Sequence, residues 1–587
     1  HVIILFLLTA RDMDDIYIAM YIEKVPNRNS RPAILLREGW REGGKVKKRT
    51  IANLTDWPQH VVEALRLSLK GKEFVSVDDA FETVSSKAHG HVKAVFTAME
   101  KLGIKKLIAS RPSRERDIIY AVIAWRVIKP ASKLAMQREW RDSTLPEMVG
   151  LDDSVTEDDI YEAMDWLLAS QDRIEKKLAK RHLTDGGLML YDLTSSYFEG
   201  TTCPLAALGY NRDKKRGTLQ VNYGLMASGN GCPVGVSVFP GNVGDPKTLI
   251  PAAEKARSDF SVSDIVLVGD RGMMSQKQID KLKEIGGIEW ITALKTGAIR
   301  SLVKDGSVQL GLFDERNLFS FEHADYPGEQ LVACRNPELA KLRAHKRQSL
   351  IEATMKELEK VRGMAGTKKL TGADAIGVRT GKVVNKYKVA KHFELNIEDD
   401  RFDYSVNEKS VAEEAALDGI YVVRTSLPKE RISPEDAVRN YKSLSNVERA
   451  FRSMKTVDLL VRPIHHRTED RVRAHIFLCM LSYYVQWHMV QAWRPLTFAD
   501  EDQDAKATRD PVAPAKRSDG ALAKAELKTT EDDDPVHSFR SLLEHLGSIV
   551  RNHCTRDSKL DMPPIVIDST PTEYQQKALD LLKEITL

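Results

Sequence analysis

From Gly187 onward the chain reads as strands and one helix in the order βββαβ, with an aspartate at the end of the first strand and another directly after the last. The stretches Leu188 to Leu193, Leu219 to Met226 and Pro233 to Phe239 are β-like, and Gly229-Asn230-Gly231 supplies the turn between the second and third. A helix, Pro246 to Ala256, and a strand, Ile265 to Gly269, follow. Asp192 ends the first strand and Asp270 follows the fourth. If those two strands are neighbours in an open sheet, their carboxylates converge. The chain is therefore read as an α/β protein with an acidic centre on its sheet.

A further strand, Trp290 to Leu294, precedes more than a hundred residues that interrupt this core, which resumes at Gly419 to Thr425. Ser433-Pro434-Glu435 then starts a helix, with Pro at its first position, and this helix runs toward Lys455. Seven residues are nearly two helical turns, so Tyr441, Glu448 and Lys455 share one stripe if the helix is continuous. Arg452, one turn beyond Glu448, joins that stripe, while Val447, Phe451 and Met454 make an apolar face beside it. A competing local reading stays open. Ser445 and Glu448 have the spacing of a capping box, in which the carboxylate reaches back to a backbone N–H and a new helix breaks the stripe. An aspartate at a strand end also commonly caps the next turn or helix, although Ser275 with Gln278 already offers a cap after Asp270.

Three phrases carry a family resemblance: YDLTSSYFEG (191–200), VLVGDRGMMS (266–275) and YKSLSNVERAFRSMK (441–455). They resemble the catalytic blocks of bacterial insertion-sequence DDE transposases, in the branch marked by Tyr, two residues, Arg, three residues, Glu, six residues, Lys. Tyr441, Glu448 and Lys455 fit that spacing, while Leu444 stands at the Arg position. The N-terminal residues resemble the family only loosely. The resemblance implies a ribonuclease H-like mixed-sheet core that cuts DNA at the element's ends and transfers the strands into target DNA. It implies Asp192, Asp270 and Glu448 as catalytic residues holding two Mg²⁺ ions, with Mn²⁺ able to substitute and Asp192 as the bridge. It places Lys455 and Arg452 on phosphates and Tyr441 beside a displaced base; Leu444 removes one expected cation. The partner is double-stranded DNA, both inverted ends and target, bound by a homodimer. Two other functions stay open: a ribonuclease H-like nuclease without joining activity, and a non-catalytic DNA-binding protein derived from a transposase.

The charge distribution agrees with a nucleic-acid partner. The net +4 conceals a segment, Asp500 to Asp534, with eleven acids and six bases, a net of −5, which leaves +9 on the remainder. Lys24 to Arg49 holds nine bases against two acids and ends in Lys45, Lys47, Lys48 and Arg49, a patch suited to phosphates or else a solvated basic hairpin. Arg212, Lys214 and Lys215 form a second basic loop with the same two readings. His465 and His466, followed by Arg467, Arg471 and Arg473, read as structural or phosphate-facing rather than as metal ligands.

The five cysteines are scattered without a CxxC pair, so neither disulfides nor structural zinc are expected. The apolar run Val2 to Ala10 is shorter than the roughly 20 residues a membrane span needs, which points to a cytoplasmic protein; nucleoid association is what the family resemblance implies. The chain opens on His1 rather than Met, so part of the stretch before Met13 or Met20 is left open as translated upstream sequence.

By this reading the chain divides into a small basic β module (1–56), a helical region with room for a DNA reader (57–183), and the core in two pieces (184–298 and 415–495). Between those pieces lies an insertion (299–414) with one charged helix, Pro337 to Arg362, and β-like stretches near Lys382 to Leu395. Residues 496–536, rich in charge, Ala and Pro, are read as a disordered linker, and 537–587 as two C-terminal helices, Ser538 to Asn552 and Thr572 to Ile585.

Overall fold

The computed structural model describes residues 19–72 except 29, residues 82–213 except 153, residue 215, residues 217–555 and residues 565–587. Two compact units emerge, His1–Ser86 with Asn552–Ile567, and Lys87–Arg551 with Asp568–Leu587. The apolar run Val2 to Ala10 lies outside the described residues. Among the described residues no helix is long and apolar enough to cross a membrane.

In the smaller unit β1 (Ala19–Val25), β2 (Ala33–Glu42) and β3 (Lys45–Asn53) form an antiparallel sheet in that order. The reversal between β2 and β3 uses Gly43 and Gly44 at φ 58° and 75°, where a side chain is disfavoured. β4 (Glu82–Ala88) interrupts the region read as helical. It pairs with β15 (Val550–Thr555), which in turn pairs with β16 (Ile565–Asp568). No local periodicity reports a partner more than four hundred residues away. The same pairing explains why Ser538 to Asn552 is helical only over Phe539–Leu546.

The larger unit begins with helices. α1 (Arg114–Ile128) starts at Ser113, whose side chain accepts the Arg116 N–H, and from Ile118 on every residue is buried. α2 (Glu157–Leu168) packs against it and opens with a capping box, Thr156 and Asp159 each bonding the other's backbone N–H.

The chain then enters β5 (Gly187–Tyr197), β6 (Gln220–Ser228), β7 (Pro233–Pro240), α3 (Pro246–Ser258), β8 (Ile265–Gly269), α4 (Gln276–Ile285) and β9 (Ile288–Ala293). With β10 (Leu318–Phe321), β11 (Gln330–Arg335) and β14 (Ile420–Thr425) these strands make one mixed sheet ordered β10-β11-β14-β9-β8-β5-β6-β7. β5, β8 and β9 run parallel and the other pairings are antiparallel. β5 and β8 are neighbours, the condition for the two aspartates to meet.

The interruption between β9 and β14 differs from its reading. β10 and β11 extend the main sheet, and β11 pairs with β14 from Gln330↔Thr425 to Arg335↔Ile420. What departs from the sheet lies between Asn336 and Gly419, and the Asn336 N–H donates to the Gly419 carbonyl at 2.9 Å. α5 (Pro337–Arg362), α6 (Ala373–Tyr387) and the hairpin of β12 (Phe393–Ile397) and β13 (Phe402–Val406) build a small core around Leu358, Ile376, Val384 and Phe402. Lys382, read as strand-like, belongs to α6: Ile376, Thr380, Val383 and Val384 are buried at helical spacing, which overrides the β-branched content.

After β14 come α7 (Pro434–Lys442) and α8 (Leu444–Arg452), joined through Ser443 at φ −63° and ψ −16°, so the helical path scarcely breaks. α8 starts at Leu444 rather than at Ser445, so the capping-box alternative is not realised. Ser453–Val457 then forms a π-helical turn. α9 (Glu469–Ala492) is buried on almost every side between β7 and the helical layer, as expected of a helix apolar all round.

Residues 496–536 are not a disordered linker. α10 (Gln503–Thr508) and α11 (Asp519–Leu527) are helices, the Asp500 carboxylate accepts the Ser518 N–H at 2.9 Å, and Lys524 pairs with Glu501 at 2.7 Å. Val512 and Ala521 are buried. A segment poor in large apolar residues is held instead by caps and ion pairs to the body it lies on.

Candidate active site

Three chain segments bring the acids together. Asp192 sits within β5, and Tyr191↔Gly269 is the last parallel pair between β5 and β8, so Asp192 and Asp270 follow it side by side. β14 delivers α7 and α8, and α8 packs on β5. That packing brings the charge of Glu448 to bear on Asp192. The burial of Val447, Ala450 and Phe451 fixes which face of α8 points inward.

Burial pushes the Asp192 carboxyl up to about 7, and the charges of Asp270 and Glu448 push the same way. The Leu193 N–H, bonded to Asp192 Oδ1 at 2.8 Å, and the Arg212 guanidinium oppose the shift. Asp270 is exposed and accepts the Gly272 N–H at 3.1 Å. It does not cap α4, whose N-cap is Ser275. Tyr441 Oη donates to Asp270 Oδ1 at 3.5 Å; burial, then Asp270, raise this phenol to about 12. Tyr441 and Glu448 thus share the predicted stripe.

Lys455 leaves that stripe. Lys455 lies within the π turn, where the helix departs from the α-helical pitch that the stripe assumes. Instead of standing free for phosphate, Lys455 is buried, with its ammonium 2.7 Å from Asp213 and 3.1 Å from Thr194 Oγ1. Burial pulls its pKa down, and Asp213 pushes it back up. Asp213, also paired with Arg462, takes the Tyr197 N–H at 3.0 Å. The sequence reading missed Asp213, whose only signal was that it is the one acid in a basic loop.

Of the other predicted contacts, Arg212 pairs with Asp245 at 2.5 Å, and its charge is felt at Asp192. Lys215 stands 3.5 Å from the centroid of the Tyr197 ring. Lys214 lies outside the described residues. Arg452 is exposed. On β3, Lys47, Lys48 and Arg49 pair with Glu42, Glu23 and Glu38 at 2.5, 3.3 and 2.7 Å, while Lys45 stands opposite Glu42 in the sheet register. His466 is held neutral, its pKa pulled down to about 3 by burial, and it packs on the Tyr161 and His475 rings. Arg471 and Arg473 pair with Asp165 and Glu469.

Among the described residues, only His182, Cys232 and His488 form a group whose metal-ligating atoms all lie within 4.8 Å of one another. The acid trio is spread more widely than that.

The family model for a transposase DDE domain matches residues 187–485, just over half of the chain and spanning all three acids. The chain belongs to the DDE transposase family. A second model, for the N-terminal domain of IS1634 family transposases, matches residues 22–78 of this transposase, so its N-terminal strands fall under a family model as well, where the sequence reading saw only a loose resemblance. Nothing among the curated proteins matches. The solved structures include piggyBac transposase in a synaptic complex with hairpin DNA, 10% identical, with a TM-score of 0.32 over 85% of this chain and 83% of that one. That likeness is too slight to bear on the transposase's site.

Proposed function

We propose that this transposase cleaves DNA at the ends of its own element and joins the freed 3′ ends to target DNA, with Asp192, Asp270 and Glu448 as its catalytic residues on a ribonuclease H-like core. The observation that carries this reading is the convergence of the trio. Asp192 lies beside Asp270 on a neighbouring parallel strand, and the charges of Asp270 and Glu448 both act on it.

The donor set suits hard divalent cations. All three groups are carboxylates, and gathering them costs electrostatic energy that a cation offsets. Asp192, between the other two, would bridge a Mg²⁺ pair, for which Mn²⁺ substitutes, while Asp270 and Glu448 would each secure one side. Such ions supply an activated water or 3′-hydroxyl and stabilise the departing oxygen. The chain itself orients this set: the Leu193 N–H and Arg212 favour the charged form of the Asp192 carboxylate against its burial, and the Tyr441 hydroxyl steers Asp270.

Arg452, Lys215 and the exposed bases of β3 would contact DNA phosphates. A homodimer in the cytoplasm would bridge two element ends on the chromosome.

The test is incubation of purified protein with labelled DNA carrying the flanking ends of its gene, with Mg²⁺ or with EDTA. Metal-dependent nicking and covalent joining are expected, with Asp192→Asn slower by about 10³-fold or more. Cleavage unaffected by Asp192→Asn would overturn the assignment.

A further inference from the structure

A second feature of α8 is not used by the carboxylate centre. One residue, about 100° of helix, separates Glu448 from Arg449, and on that flank a cleft of about 780 Å³ opens between α7, α8, the C-terminal half of α9 and α10. Its walls carry Arg439, Arg449, Arg452, Arg494 and Lys506 against two acids, Asp436 and Asp458. Both acids are already engaged. Asp436 pairs with Arg439 at 2.7 Å, and Asp458 accepts the Gln486 amide at 2.7 Å and the Ser453 hydroxyl. Among the described residues Arg449, Arg452, Arg494 and Lys506 form no ion pair.

These four cations face one cavity without an ion-pair partner of their own, and their charges act on one another. Burial and then Arg449, Arg494 and Arg509 hold the Lys506 ammonium below its usual range, and burial and Arg449 do the same to Arg494, with Asp500 opposing both shifts. The cations come from three separate segments rather than from one loop, so they mark a track rather than a point. Trp487 on the α9 wall adds a flat ring to it. Such a lining suits a chain of phosphates, with a face for a base, better than a single small anion.

We propose that this cleft binds the phosphodiester backbone of a DNA segment other than the one whose phosphate reacts at the carboxylates, with Arg449, Arg494 and Lys506 as phosphate contacts. The inference rests on the reading of DNA as the substrate and adds a second DNA track on another flank of the catalytic helix. The acid trio and the cleft would then read two stretches of DNA at once, with α8 as the wall between them.

The experiment compares the full-length protein with the double variant Arg449→Gln/Lys506→Gln, and with Asp192→Asn. Affinity for a labelled end-bearing duplex is measured across a salt series without divalent metal. Each lost phosphate contact lowers the slope of log affinity against log salt by roughly 0.9, so the double variant is expected to lose roughly 2 units of slope, with Asp192→Asn unchanged. Arg449→Lys, which keeps the charge, is expected to retain the wild-type slope. Misfolding is separated by melting without DNA, where removing mutually repelling cations should leave the melting temperature equal or higher. A wild-type slope in a folded double variant overturns the cleft while leaving cleavage at the carboxylates standing. Loss of the slope in the double variant supports the cleft even where no cutting is seen. A cleft that takes inorganic tripolyphosphate, with the variant losing that binding but not the DNA slope, also overturns it.

Discussion

At the scale of single residues, the informative contrast is between Glu448 and Lys455, two members of one sequence phrase with opposite fates. Glu448 is exposed on α8 and acts on Asp192, while Lys455 is buried against Asp213. Lys455→Ala is therefore expected to act first on stability. It leaves a buried carboxylate with Arg462 as its remaining cation, at a cost of about 1–3 kcal/mol by denaturant unfolding. A variant as stable as wild type but defective in DNA binding would restore the phosphate role. Glu448→Gln, by contrast, is expected to leave unfolding unchanged and abolish cleavage. Spacing alone could not separate the two, because seven residues mark one stripe only while the helix keeps its pitch, and the turn at Ser453–Val457 abandons it.

At the scale of elements, the succession of strands was legible because each is apolar and bounded by glycine or a turn, but β5 runs on to Tyr197, so Asp192 lies within its strand and not at its end as read. The pairing of β4 with β15 and the folding of residues 496–536 were not legible, since both depend on partners remote in sequence. The site's own strands leave little room. A Cβ on Gly224 would come 2.3 Å from the Tyr191 hydroxyl, next to Asp192 in the chain. Gly224→Ala should cost about 1–3 kcal/mol and, by displacing Tyr191, lower cleavage further than stability alone accounts for; wild-type activity in a folded Gly224→Ala protein would argue against that coupling.

α9 contributes a pH dependence. Burial, with His182 and Arg181, pulls His488 down to about 3. Its unfolded value is near 6.5, so on acidification the unfolded chain gains its proton first. Stability is then expected to fall as pH drops from about 6.5 toward 3. His488→Gln should flatten the dependence of unfolding free energy on pH in that window by up to roughly 1.4 kcal/mol per pH unit, and an unchanged profile would show that the histidine is already charged in the fold.

At the scale of the whole molecule, the detour between β11 and β14 is a folded body set into a hairpin. Its ends meet at Asn336 and Gly419, and α5, α6 and the β12–β13 hairpin have a core of their own. Replacing residues 337–418 by a short glycine-containing turn is expected to preserve the sheet, with circular dichroism showing a cooperative melt and metal-dependent nicking retained. Loss of the melt would show that the body props up the sheet. The same detour has a temporal side. Asp192 and Asp270 leave the ribosome early, but Glu448 emerges only after the whole excursion has been translated. Under the proposed assignment, any polypeptide stopped short of it would carry two acids of the three, and an abandoned translation product would be unable to cut.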